Sequence, residues 1–387
     1  MKGVVYLKDF KHYNSWLEIN LDYLSDNIES IKSLVDSDCI FMAIVKSNAY
    51  GHGAVVVSKY IERECANAQL AVADVWEGLE LRQANIKLPI LVLGPIPDDQ
   101  LDEAIEHDLS ITLFNINSTI LVSNISKKLN KNTKVHIKID SGLRRIGFKP
   151  GEELQEFINT VKHLQALDIV GVFTHFAESG AIDKTFTLQQ LDIFNKGLCQ
   201  LKENNINPKY IHSASTQAIL ELPESHFNLI RAGKAIYGYH GMNHESNKIT
   251  LKPILEWKAV ITNIKQLLPG ESIGYSRTFT ASKKMLIAVM PVGFGDGYSS
   301  LLSNKGSVII SGKKAPLVGK VCMDSCFADI TDIENVKIGD IVTFLGEVNG
   351  EKIEKADICN ITGAQVSEVI SIIGRRVART YISNKVK

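Results

Sequence analysis

The segment Val45-Lys46-Ser47-Asn48-Ala49-Tyr50-Gly51-His52-Gly53 carries the sharpest chemical signal in the chain. Lys46 ends an apolar run, and a buried lysine cannot stay charged and unpaired cheaply. Either its long stem carries the ammonium out to solvent, or it is held desolvated with a lowered pKa, as suits a lysine that forms a Schiff base. Tyr50 follows in a glycine-flanked loop, where its hydroxyl either meets a phosphate or simply packs. Other polar residues recur at the ends of apolar runs: Asp140 ahead of the loop Gly142–Gly147, His175, Ser215 with Thr216, and Arg231 with Gly233. Taken singly, His175 also reads as a satisfied structural histidine, and Arg231 as half of a salt bridge.

Such residues need a scaffold that aims strand ends at one place. Eight short, β-branched segments supply candidates: Ile40–Lys46, Leu70–Val75, Pro89–Gly94, Ser110–Phe114, Lys134–Asp140, Val170–Phe176, Tyr210–Ser215 and Phe227–Gly233. Amphipathic stretches separate them. Asp22–Val35 carries Leu24, Ile28, Ile31 and Leu34 near helical spacing, and Leu188–Glu203 carries Leu191, Phe194, Leu198 and Leu201. Strand and helix alternating eight times predicts an α/β fold, a (β/α)8 TIM barrel, over residues 17–245. Barrels of this kind place function at the C-terminal ends of the strands. Lys46, Asp74, Asp140, His175, Ser215, Thr216, Arg231 and Gly233 all fall there.

Beyond residue 245 the texture changes. Glu256–Asn263, Lys284–Val289, Ser307–Ser311, Cys326–Ile330 and Ile341–Leu345 are short and β-rich, with turn residues between them, and a helix is expected over Gly363–Ile373. Residues 246–387, together with residues 1–16, therefore predict a second, mainly β domain. Lys+Arg and Asp+Glu each total 43, so charge gives no reason to expect nucleic acid or an anionic membrane as partner. No apolar run approaches the roughly 18 residues of a membrane span. The opening MKGVVYLKDFKHYNSW lacks an apolar core and a small-residue cleavage site, so no signal peptide is expected. The six cysteines are scattered; only Cys322 and Cys326 are close, with no histidine cluster beside them. That pattern predicts free thiols, no metal site and a cytoplasmic location.

In their order along the chain, these motifs resemble those of the alanine racemases. The Lys46 segment is similar to the family's cofactor-lysine motif. Asp140-Ser141-Gly142-Leu143-Arg144-Arg145-Ile146-Gly147 resembles its Asp-Thr-Gly-x-x-Arg-x-Gly, and Thr174-His175-Phe176-Ala177 its Thr-His-Phe-Ala. Ile230-Arg231-Ala232-Gly233 with Tyr237-Gly238 resembles its Arg-x-Gly…Tyr-Gly, and Ile273-Gly274-Tyr275-Ser276 its catalytic tyrosine segment. Gly293–Tyr298 and Val318–Asp324 are similar to two more.

The resemblance implies interconversion of L- and D-alanine through a pyridoxal phosphate aldimine on Lys46, supplying D-alanine for peptidoglycan. Racemisation removes the α-proton from one face and returns it on the other, which calls for two groups on opposite sides. Lys46 and Tyr275 are the implied pair. A tyrosine with a reference pKa near 10 is a poor base at neutral pH, and His175 is the implied source of cationic or hydrogen-bonding help. Arg231 is implied to face the pyridine nitrogen; always protonated, it cannot accept a proton there, which keeps the ring neutral. Arg145, rather than Arg144, is implied to contact the cofactor's phenolic oxygen and the substrate carboxylate. Lys138 aligns with a lysine that is carbamylated in many members and orients that arginine. Met323 would offer its N–H to the substrate carboxylate. Tyr50, Thr216 and the backbone at Gly233 are implied to hold the phosphate. The family is homodimeric, with the tyrosine and the Met323 loop supplied by the other subunit's β domain.

The chain also departs from the family. Ser215-Thr216 stands where Asn-Ser is usual, Lys234 replaces an apolar residue, and Phe294 replaces a Tyr. Arg375 occupies the place of a phosphate-binding Tyr, and arginine can bind phosphate bidentately. These changes keep a serine or broad-specificity racemase open as an alternative. A decarboxylase on the same two-domain plan would need a Cys and acids for a distal amine. Cys322 and Asp324 support that weakly, and the Tyr275 segment argues against it. A non-enzymatic pyridoxal phosphate carrier would be a single barrel, which the second domain disfavours.

Overall fold

The computed structural model describes residues 13–240 and 249–383. The chain divides into two compact units, one of Ser25–Ala49 and Ala54–Lys252, the other of Met1–Leu24, Tyr50–Gly53 and Pro253–Lys387. Most of the segment read for a leader, residues 1–12, and the junction expected at 245/246 lie outside the described residues.

The first unit is an eight-stranded parallel barrel. Strands Ile40–Ile44, Gln69–Val72, Ile90–Val92, Ser110–Leu113, Thr133–Lys138, Leu167–Phe173, Tyr210–His212 and Leu229–Ala232 pair in chain order. The last returns to the first in the register Ile40↔Leu229 to Ala43↔Ala232. An isolated bridge, Ser215↔Arg231, spans the remaining gap. All eight expected segments are strands. Their apolar side chains, including Met42, Ala43, Leu70, Ala71, Ile90, Val135, Ile137 and Val172, are buried, as a parallel ladder covered by helices requires. Helix Leu21–Lys32 turns Leu24, Ile28 and Ile31 inward, and Thr185–Glu203 buries Leu191, Phe194 and Leu201. Asp74 lies just past the end of the second barrel strand and serves there as a helix cap. Its strand ends at Val72, and its carboxylate accepts from the Glu77 amide at 3.1 Å to cap helix Val75–Gln83.

The second unit is mainly β. Its seven-stranded sheet runs Lys313–Pro316, Ser307–Ile310, Ile341–Val348, Leu255–Val260, Ser15–Asn20, Ala378–Ile382, with Glu351–Ile353 also paired to Ile341–Val348. Ser15–Asn20 pairs antiparallel with Leu255–Val260 and parallel with Ala378–Ile382. This pairing carries the boundary expected at residue 17 on to Leu24. Trp257, Tyr298 and Phe344 form the aromatic centre, with Tyr298 edge-on to both neighbours at 5.7 and 5.0 Å. Two expected elements differ. The run Glu256–Asn263 breaks after Val260, and Asn263–Leu267 pairs instead in a separate three-stranded sheet with Met285–Met290 and Cys326–Asp329. The helix expected over Gly363–Ile373 is present but shorter, Val366–Ser371, and a helix not expected from the sequence, Lys355–Thr362, precedes it and ends at Gly363, whose φ is a left-handed 74°. Among the described residues no helix is long and apolar enough to cross a membrane. None of their His, Cys, Asp and Glu clusters could hold a metal ion.

Candidate active site

Lys46 follows the first barrel strand and opens an unusual turn. Ser47, Asn48 and Ala49 have φ of 53°, 53° and 54° with ψ of 49°, 49° and 50°, and Tyr50 continues with φ 53°. Left-handed helical conformation costs an L-residue roughly 1–2 kcal/mol each, so this run must be held by its surroundings. The Ala49 amide donates to Val45 O at 2.8 Å, and Asn48 Oδ1 accepts from the Ala54 amide at 2.8 Å. Glu77 accepts from the Ser47 amide through one carboxylate oxygen and from the Ala73 amide, at 2.7 Å, through the other. Burial pushes the Lys46 pKa down; Arg145 pushes it the same way, and Glu77 opposes them. The result is an amine more available as a nucleophile than an ordinary lysine.

Around it the barrel collects cations. The loop after the fifth strand wraps the Asp140 carboxylate, which accepts from the Gly142 and Arg144 amides at 3.0 Å each. Gly147 closes that loop at φ 121°, where a Cβ would lie 2.8 Å from both Asp140 N and Lys138 O; only glycine fits. Lys138 is buried, its Nζ 4.7 Å above the Phe173 ring. Burial, then Arg231 and Arg145, hold its pKa well below the usual lysine value, with Asp140 opposing.

Arg231, on the last strand, is buried among neutral partners. It donates to the carbonyls of His212 (2.9 Å), Thr174 (2.7 Å) and Ser213 (2.9 Å), to His212 Nδ1 at 3.0 Å, and more loosely to His175 Nδ1 at 3.3 Å. Burial, and Arg145, bring its pKa down to about 9, still protonated at neutral pH. His175 is held neutral, its pKa well below the usual value by burial and then by Arg231, Lys138, Arg145 and Lys46. Of the cationic or hydrogen-bonding help expected of His175, the depressed pKa favours the hydrogen bond.

Several residues around the site went unnoticed in the sequence, His136, His212 and Glu77 among them. His212 Nε2 meets His136 Nδ1 at 3.0 Å, so a chain His136–His212–Arg231 runs through the barrel interior. His136 stacks parallel to Tyr210 and His212 parallel to Phe173. Because Arg231 only donates, His212 Nδ1 must accept, which places the His212 proton on Nε2, toward His136. Strand periodicity already put His136 on the same face as Lys138, and that was the available signal. Glu77 left none, since only the folded chain brings it to Ser47.

Near the end of the last strand, Thr216 Oγ1 accepts from the Gly233 and Ala235 amides, each at 3.3 Å. These convergent N–H groups form a cradle of the kind that binds an anion. Lys234 lies between them in sequence; burial lowers its pKa and Glu221 opposes. The remaining candidates belong to the second unit. Tyr275 is 71 % exposed in a short turn whose Ser276 and Arg277 have φ of 58° and 49°. Met323 and Phe294 are exposed as well, and so is Arg375. Burial raises the Tyr50 hydroxyl to about 12, so it is a neutral donor. Arg376, absent from the expected set, donates to Asp296 and Asp324 at 2.6 Å each and to Met323 O at 3.3 Å, which pins the Met323 loop.

Comparison with known proteins places the chain in a family. The family model described as "Alanine racemase, N-terminal domain" matches residues 19–241, and "Alanine racemase, C-terminal domain" matches 254–381. An alanine racemase of Clostridium novyi is 41% identical over 97% of both chains. Among solved structures, an alanine racemase of Clostridium difficile 630 is 35% identical with a TM-score of 0.90, over 95% of this chain and 96% of that one. An alanine racemase of Bacillus anthracis with bound L-Ala-P is 33% identical with a TM-score of 0.90, over 97% and 96%. Matched by both domain models and by a relative along nearly its whole length, the chain belongs to the alanine racemase family.

Proposed function

We propose that this chain is a pyridoxal-phosphate-dependent isomerase that interconverts L- and D-alanine. One observation carries the reading: Lys46, with a depressed amine pKa, follows the first barrel strand, and Arg231, on the last strand, hydrogen-bonds only to neutral groups. The residues present fit the cofactor. Lys46 is a competent amine for its carbonyl group, the Thr216–Gly233–Ala235 cradle and Tyr50 suit its phosphate, and Arg145 and Arg231 suit its ring oxygen and nitrogen.

When bound, pyridoxal phosphate supplies an electron-accepting ring that eases loss of the α-proton. Everything else falls to the chain. Lys46 holds the cofactor and, once freed by substrate, takes or returns the α-proton on one face. Tyr275 does so on the other. His175 supports by hydrogen bonding. Arg231 stays protonated, so it cannot draw a proton from the ring nitrogen. Weaker electron withdrawal keeps charge at Cα, where reprotonation gives racemisation and not transamination. Arg145 and the Met323 amide orient the substrate carboxylate, and the depressed Lys138 amine is suited to carbamylation, which would turn a repelling cation into an anion beside Arg145.

The barrel, residues 17–245 in the sequence reading, carries the cofactor, and the β domain carries Tyr275. The active form is a homodimer in which the second subunit's β domain completes each site; the exposed Tyr275, Met323 and Phe294 support this. A cytoplasmic location and a role in supplying D-alanine for peptidoglycan follow from the same family reading. The test is direct: incubate the purified, cofactor-loaded protein with each enantiomer of alanine, serine and lysine. D-Alanine formed from L-alanine, faster than any other product, is expected. Carbon dioxide release would mark a decarboxylase, and no turnover a carrier.

A further inference from the structure

Glu77 sits at the third position of helix Val75–Gln83, whose N-cap is Asp74. A glutamate there ordinarily reaches back to the N-cap residue's own amide and closes a capping box. Glu77 does otherwise. One carboxylate oxygen accepts from the Ala73 amide, just past the second barrel strand, and the other accepts from the Ser47 amide, the first of the left-handed turn after Lys46. Its own N–H is held by Asp74. The bonds Ala49 N–Val45 O and Ala54 N–Asn48 Oδ1 are local to the turn and its exit. Glu77 ties the turn to the neighbouring strand.

We propose that Glu77 is a positioning residue for Lys46: its carboxylate bridges the Ser47 and Ala73 amides and locks the left-handed turn that aims the lysine. The inference rests on the reading of Lys46 as the cofactor lysine. The same carboxylate favours the ammonium form of Lys46 against burial and Arg145, so bridging and charge can be separated by substitution. Glu77→Gln keeps the size but offers a single accepting oxygen and no charge. Glu77→Asp keeps the charge but is too short to span both amides.

Two measurements on the full chain suffice. Amide hydrogen exchange over residues 45–50 in the cofactor-free protein reports the turn. The pH dependence of the rate at which pyridoxal phosphate becomes trapped on Lys46 by borohydride, located by peptide mapping, reports the lysine. Both variants should exchange at least tenfold faster over 45–50. Only E77Q should shift the trapping profile to lower pH. Racemisation kcat should fall in both, with a smaller change in KM for alanine. Wild-type exchange over 45–50 in either variant overturns the proposal and leaves Glu77 as a helix-end residue. Should E77Q fail to fold, E77D decides by the same exchange criterion. If wild-type protein itself is not labelled at Lys46, the cofactor-lysine reading fails, and this inference with it.

Discussion

Lys46 stands between opposing influences: burial and Arg145 lower its pKa, and Glu77 raises it. An amine set that way reacts with a carbonyl group near neutral pH. Lys46→Ala should therefore lose the covalent link to cofactor and its absorbance, and borohydride reduction of the wild-type should label Lys46. A label on another lysine defeats the assignment. Tyr275→Phe should slow racemisation by roughly 10²–10⁴-fold, the usual worth of one acid–base group, with cofactor binding unchanged. Equal activity would remove Tyr275 from the proton path. Arg231→Glu tests the ring-nitrogen argument. A carboxylate there can stabilise a protonated ring, so D-alanine formation should fall while pyruvate, the transamination product, rises. Loss of stability with no pyruvate would make Arg231 a structural residue.

The strands of the barrel carry a buried polar seam whose consequences reach beyond single side chains. Burial and Arg231 hold His136 neutral down to about 3, against an ordinary value of 6.5. Across that window the unfolded chain binds a proton that the folded chain refuses. The stability is present above pH 6.5 and is lost as pH falls, by up to ~1.4 kcal/mol per pH unit. Urea unfolding at pH 7 and pH 5 should show a smaller difference for His136→Gln than for the wild-type; an unchanged difference refutes the linkage. Gly171, on the sixth strand, guards the same histidine. A Cβ there would lie 2.1 Å from His136 Nδ1, the atom that meets His212. Gly171→Ala should cost about 1–3 kcal/mol, measured by thermal melting. Of these elements, all eight barrel strands were legible in the sequence, because buried parallel strands read as short apolar runs. Helix Lys355–Thr362 was not, and the expected C-terminal helix starts at Val366 rather than at Gly363, whose left-handed φ of 74° ends the preceding helix.

The assembly sets the last test. If Tyr275 acts on the other subunit's lysine, a mixed dimer of Lys46→Ala and Tyr275→Phe chains holds one doubly damaged site and one intact site. Activity should return, to about half the wild-type value per dimer if the sites are independent. If each Tyr275 serves its own chain, every site keeps one lesion and confirmed subunit exchange restores nothing.

Residue types and their order sufficed for the barrel, the β domain and the family, and they nominated Lys46, Arg145, His175, Arg231 and Tyr275 for the site, since apolar periodicity and motif spacing are local properties of a chain. Other features are long-range and waited on the fold. Ser15–Asn20 joined the β sheet because its hydrogen-bond partners lie at residues 255–259 and 378–382. The pKa of His175 is depressed because burial desolvates it and because Arg231, Lys138, Arg145 and Lys46, from separate strands and loops, act on it. Glu77, His136 and His212 gained their roles from neighbours 30, 76 and 19 residues away in sequence. Charge and hydrogen bonding act through space, so only the folded chain determines which of its ionisable groups keep their ordinary chemistry.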